Sequence, residues 1–195
     1  ASRVASTFKS VYDIGDQQFS ALLKAIEEGV AISPSFNLDA LLADLYEQNT
    51  QYSLSVASKL EPFIKSKPFK LLDTDAWAEM LTSKQNHVHV LQLAGVAREI
   101  QKLITEFVLW DLYAFACSNG SKNKPIPIVL DEIQNLDHGS DSPIDKMLRE
   151  GRKFGLSLIL ATQTTSNFNQ EQRDRLFQAS HKLFFKPANT EVSAF

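Results

Sequence analysis

Apolar residues recur at helical spacing in the first part of the chain and gather into short unbroken runs in the second. Phe19, Leu22, Leu23, Ile26 and Val30 fall on one helical face, as do Leu38, Leu41, Leu42 and Leu45, so helices are predicted up to about Lys84. Asn37 stands just before the second stripe, where its side-chain oxygen can cap a helix start. Proline marks the connectors at Ser33-Pro34-Ser35, Glu61-Pro62 and Lys67-Pro68, because its ring ends or redirects the chain.

From His87 the texture changes. Val88 to Leu93 is a short apolar run closed by Gly95 and predicts a strand, followed by a long, mostly apolar helix from Val96 to Cys117. After the turn-rich residues 118–124, Ile126 to Leu130 is continuous and apolar and stops at Asp131-Glu132, which suits a strand buried on both faces. Ser142-Pro143 opens a helix to about Phe154, with Ser142 as cap, Pro143 at the first helical position and Asp145 in the first turn. Leu156 to Ala161 reads as the next buried strand, Gln172 to Gln178 as a short helix and Lys182 to Phe185 as a last strand. This alternation predicts an α/β fold with a parallel, doubly wound sheet over 87–195, preceded by a helical part over 1–86.

The 195 residues, 44% hydrophobic and 22% charged, suffice for one well-packed core. A formal net charge of -3 argues against a whole-surface electrostatic grip on nucleic acid, so any DNA contact is expected to be local. Cys117 is the only cysteine, which rules out an intrachain disulfide and fits a reducing cytoplasm. His87, His89, His138 and His181 show no repeated ligand spacing. The most apolar run, Leu103 to Ala116, is broken by Glu106 and Asp111 and reads as a buried helix, so no membrane span is expected. Residues 1–11 lack the apolar core of a signal peptide. The chain opens without Met and ends at Phe195 after a strand-like run, which reads as a piece of a larger protein.

Polar residues directly after a buried strand are the first place to look for chemistry, because parallel α/β sheets bind ligands outside the carboxyl ends of their strands. Ile128-Val129-Leu130 delivers two adjacent carboxylates, Asp131 and Glu132. Neighbours at a strand end point to different sides, so Asp131 can position Mg²⁺ through water while Glu132 polarises or deprotonates an attacking water. Taken alone, such a pair is equally the start of an acidic loop. Leu158-Ile159-Leu160-Ala161 ends at Thr162-Gln163, and a glutamine amide can orient water and sense a γ-phosphate. Alone it reads as a solvated turn residue. Between the two strands, Arg149 and Arg152 lie three apart on a helix with Lys146 and Lys153; a guanidinium there can neutralise charge in phosphoryl transfer, or simply form a solvated basic face.

In this order and spacing, Ile128-Val129-Leu130-Asp131-Glu132-Ile133-Gln134-Asn135, Arg149-Glu150-Gly151-Arg152-Lys153-Phe154-Gly155 and Leu160-Ala161-Thr162-Gln163 resemble the Walker B segment, basic helix end and sensor strand of the HerA/FtsK superfamily of hexameric DNA-translocating ATPases, especially its HerA-like and VirB4-like members. His87 to Leu93 and Ile104 to Tyr113 are similar to the preceding strand and helix of large HerA-like proteins, including those of DNA phosphorothioation-dependent restriction systems. The resemblance spans roughly 87–187. It implies a RecA-like P-loop NTPase core lacking its first strand and phosphate-binding loop, with ATP and Mg²⁺ as ligands of the intact protein.

It also implies catalytic roles for Asp131, Glu132, Gln163, Arg152 and Arg149, nucleotide contacts from Asp131, Thr162 and Gln163, and an arginine, provisionally Arg152, acting across a subunit boundary. The implied assembly is a homo-hexamer around DNA, with nuclease or restriction proteins as further partners. Asn135 to Asp141 and Thr164 to Gln170 are candidate DNA-facing loops, being rich in groups that bond phosphate oxygens.

The departure from the family is plain: no G-x-x-x-x-G-K-[ST] occurs, and the seven glycines are scattered. The chain alone is therefore expected to turn over no ATP, the loop lying upstream in the intact protein. A superfamily II helicase fragment fits less well, since the second strand ends Ala161-Thr162-Gln163 rather than Ser-Ala-Thr. A metal-dependent nuclease lacks a third clustered acid or lysine. A non-hydrolysing interaction module on an ATPase-derived scaffold is the alternative from a different class.

Overall fold

The computed structural model describes residues 1–69, 76–82, 88–177 and 179–185. Lys84, His87 and Gln178, where the sequence reading placed element ends, lie outside the described residues. Packing divides the chain into two units, Ala1–Phe107 and Val108–Phe195.

In the first unit, helix starts follow the caps. Helix α1 (Ser2–Tyr12) ends at Asp13, whose φ of 49° is one that a short polar side chain tolerates. Helix α2 (Asp16–Ile32) begins after Gly15, whose amide donates to Gln18 Oε1 at 3.0 Å. Helix α3 (Leu38–Glu47) is capped by Asn37 as predicted, its Oδ1 accepting the Ala40 amide at 3.0 Å. At the start of α4 (Gln51–Lys65), Thr50 Oγ1 accepts the Ser53 amide at 3.1 Å and Ser53 Oγ accepts the Thr50 amide at 3.0 Å. A short helix, α5 (Ala76–Thr82), follows.

Leu22, Ala25, Ile26, Leu41, Leu45, Val56, Leu60 and Phe63 form the buried faces of α2, α3 and α4. Phe8, Phe63, Phe69 and Phe107 make an aromatic cluster with ring centroids 5.3 to 6.2 Å apart. Two expectations are corrected here. Val30 is exposed, because α2 turns Gly29 inward instead: the Phe36 ring lies so close that a Cβ on Gly29 would stand 2.2 Å from it. Glu61-Pro62 is no connector, since α4 runs through Pro62 to Lys65. Burial of Phe63 and Ile64 in that last turn outweighs the one backbone bond that proline removes.

Helix α6 (Arg98–Asn119) belongs to the first unit through Phe107 and to the second from Val108. The second unit then builds β1 (Ile126–Leu130), a 3₁₀ turn (Ile133–Asn135), α7 (Pro143–Glu150), a second 3₁₀ turn (Gly151–Phe154), β2 (Leu156–Leu160) and α8 (Gln170–Phe177). Ser142 caps α7 as predicted, Oγ accepting the Asp145 amide at 3.2 Å. The crossover closes on Gly155, whose φ of 82° and close approach to the Ser121 carbonyl both demand glycine. Strands β1 and β2 pair in parallel, Ile126 opposite Leu156 and Leu130 opposite Leu160.

Two predicted strands are not formed. Val88 to Leu93 and Lys182 to Phe185 are irregular and, apart from half-buried Leu93, exposed, Val88 at 90% and Phe185 at 86%. A short apolar run becomes a strand only where a neighbour takes its backbone hydrogen bonds. The sheet therefore has two strands among the described residues, and it is not buried on both faces: Val129 is 67% exposed and Ile159 57%.

Candidate functional site

The parallel register brings the tips of β1 and β2 level, since Leu130 pairs with Leu160 and its carbonyl accepts the Ala161 amide at 2.8 Å. Glu132 adopts φ 54° and ψ 40°, a left-handed conformation that costs a non-glycine residue roughly 1–2 kcal/mol. The Ile133 amide then donates to the Ala161 carbonyl at 3.1 Å, tying the turn back to the tip of β2. Asp131 Oδ1 accepts the Glu132 amide at 2.9 Å.

This backbone places four side chains in one hydrogen-bonded row. Gln163 Nε2 donates to Glu132 Oε1, and Gln134 Nε2 donates to Glu132 Oε2. The Thr162 hydroxyl donates to Gln134 Oε1 at 2.6 Å, with the Thr164 carbonyl an alternative acceptor at 2.8 Å. Thr162 thereby fixes which way the Gln134 amide faces, and each oxygen of the Glu132 carboxylate meets an amide donor. Of the predicted site residues, the structure brings Glu132, Thr162 and Gln163 together, with Asp131 next along the chain. Gln134 is a member of the row that the sequence did not single out. Its signal was its position two residues after Glu132.

The arginines are separated by what holds them. Arg149 Nε lies 3.1 Å from Asp145 Oδ1 and is anchored there, with its side chain about half exposed. Arg152 is exposed on the 3₁₀ turn after α7, so the two do not share one continuous helical face. Lys146 pairs with Asp141 at 3.2 Å. Asp145, whose side chain is 1% exposed, also accepts from Arg175 Nη1 at 2.6 Å, and Arg175 Nη2 reaches Glu171 at 2.6 Å. Sequence reasoning took Asp145 only as a first-turn acid and missed Arg175. A cation on α8 facing an acid on α7 has no short-range signature.

The candidate DNA-facing loops are partly anchored. In Asn135 to Asp141, His138 is buried; in Thr164 to Gln170, Phe168 is buried; the two rings meet edge-on at 4.7 Å. Cys117 is exposed. No helix among the described residues is long and apolar enough to cross a membrane, and none of their His, Cys, Asp and Glu side chains gather in threes that could hold a metal.

Mg²⁺ keeps several waters and takes one or two carboxylates together with phosphate oxygens. Asp131, exposed at the tip of β1 beside Glu132, fits that modest requirement. Fold and site together define a mostly helical α/β protein whose small parallel sheet carries a carboxylate–amide row at its carboxyl end. No protein-family model matches the chain, and no curated protein matches it.

Proposed function

We propose that the second unit is the water-activating and phosphate-sensing half of a RecA-like ATPase of the HerA/FtsK type, which moves DNA when joined to a phosphate-binding loop. The observation that carries this reading is the bond between Glu132 at the tip of β1 and Gln163 at the tip of the adjacent parallel β2. Hydrolysis of a phosphoanhydride needs a base for water and a group that registers the terminal phosphate, side by side where parallel strands end.

In this reading Glu132 takes up the proton of the attacking water. Gln163 holds one of its oxygens at rest and turns its amide to the phosphate when nucleotide binds, freeing that oxygen for water. Thr162 and Gln134 keep the other oxygen oriented throughout. Asp131 would hold Mg²⁺ through water, the ion supplying charge neutralisation on the phosphates. Arg149, anchored by Asp145, is better placed than Arg152 to present a fixed guanidinium to developing charge. The same resemblance, which extends to DptH of DNA phosphorothioation-dependent restriction systems, supports ATP as ligand, six copies around DNA and nuclease or restriction proteins as partners.

The test is ATP hydrolysis, with and without DNA, by a chain joining these residues to a phosphate-binding loop. Glu132→Gln should lower the rate at least about 100-fold, since it removes the base. Equal rates would sink the assignment and favour a scaffold that does not hydrolyse. This chain alone, lacking the loop sequence, should show no appreciable turnover.

A further inference from the structure

His138 has no part in the chemistry above, yet it is buried within reach of the backbone that shapes the acidic tip. Its Nε2 lies 2.6 Å from the carbonyl oxygen of Ile133, the residue directly after Glu132. A carbonyl can only accept, so Nε2 carries the proton in this contact. The same carbonyl accepts the Leu136 amide at 3.0 Å, while the Ile133 amide is tied to Ala161 and the Ile133 side chain is buried. Ile133 is thus fixed at its amide, its carbonyl and its side chain.

The imidazole is itself held. Its ring packs edge-on against Phe168, and the His138 carbonyl accepts from Arg175 Nη1 at 3.4 Å, the same nitrogen that binds the buried Asp145. Arg175 of α8, itself held by Asp145 of α7, thus fixes the His138 backbone, Phe168 packs on its ring, and the imidazole bonds the turn.

We propose that His138 is a positioning residue that locks the left-handed turn at Glu132 and so aims its carboxylate at Gln163. Left-handed backbone in a glutamate persists only where its surroundings over-determine it. Here the Asp131 carboxylate holds the Glu132 amide, the tip of β2 holds the Ile133 amide, and His138 holds the Ile133 carbonyl. The inference rests on Glu132 being the working carboxylate, but it concerns backbone geometry that exists without nucleotide.

The experiment is amide hydrogen exchange and backbone NMR on this chain, comparing it with His138→Phe and His138→Gln. Phenylalanine keeps a ring against Phe168 and removes the donor; glutamine keeps an N–H donor at similar reach. In His138→Phe the Ile133 and Leu136 amides should exchange at least about tenfold faster, and the Glu132 Cα shift should leave its left-handed value, while β1 and α7 keep their rates. His138→Gln should return both readouts toward the parent.

Unchanged exchange and an unchanged Glu132 shift in His138→Phe would overturn the proposal. So would a folded His138→Gln that restores neither. Should His138→Phe unfold the unit, His138→Gln decides alone: parental values support the lock and altered values refute it. Neither readout involves hydrolysis, so failure here leaves the role of Glu132 standing, and an ATPase rate unmoved by Glu132→Gln leaves this geometry standing.

Discussion

In the first unit, Leu22, Leu45, Leu60 and Phe63 are wholly buried, and polar side chains such as Asn37 and Thr50 cap the starts of the helices they stabilise. At the strand tips of the second unit the ordering groups are Glu132, Gln134, Thr162 and Gln163, none of them fully buried, around one strained residue. Apolar burial has no direction, so the first region should tolerate changes of shape and suffer from loss of volume. Hydrogen bonds have direction, so the second should tolerate loss of volume and suffer from loss of a donor or of backbone freedom. A region built for packing and a region built for orientation thus differ in what breaks them.

The largest effect expected is from Phe63→Ala, which removes the ring shared by the aromatic cluster and should cost about 3–5 kcal/mol in a urea titration. Phe63→Leu should cost less, and equal costs would mean that ring geometry rather than volume holds the cluster. Next comes Gly155→Ala at the crossover, where the new Cβ would meet the Ser121 carbonyl at 2.3 Å in a left-handed residue. Strain and overlap together should cost about 2–4 kcal/mol of unfolding free energy. A neutral result would show that the tip does not need the crossover closed this tightly.

Asn37→Ala should cost about 1 kcal/mol, measured the same way, because it removes one cap and no packing. The smallest effect concerns Glu61, whose carboxyl is held below the usual range by hydrogen bonds from Lys65 and then Tyr46. A lowered acid contributes stability that is complete above its unfolded pKa and disappears as pH falls through its folded one. Glu61 is on the surface, so the visible consequence is its own titration: in Lys65→Met the midpoint should rise by NMR, with melting temperature almost unchanged. A midpoint that stays low would assign the shift to Tyr46.

Much of this architecture was legible in the chain. The stripe from Leu22 to Ile26, the cap at Asn37, the Ser142-Pro143 helix start and the two runs ending at Asp131-Glu132 and Thr162-Gln163 are local patterns, and each forms the predicted element. The bond between Glu132 and Gln163 is consistent with both strands being parallel neighbours, because level tips bring their next residues within reach. The irregular course of 88–93 and 182–185 was not legible, since an apolar run carries no record of whether a partner strand lies beside it. Pro62 was misread for a related reason: whether a helix survives a proline depends on what its last turn buries.

Sequence alone determined where α3 and α7 start, which residues end the two strands and which side chains were available to do chemistry, because capping, periodicity and residue type act over a few neighbouring positions. Only the tertiary structure decided that Glu132 is left-handed, that Gln134 and Thr162 complete its row, that Asp145 gathers Arg149 and Arg175, and that His138 reaches the Ile133 carbonyl. Those depend on directional bonds between groups up to 30 residues apart, which form only when the backbone has already brought both partners to the same place.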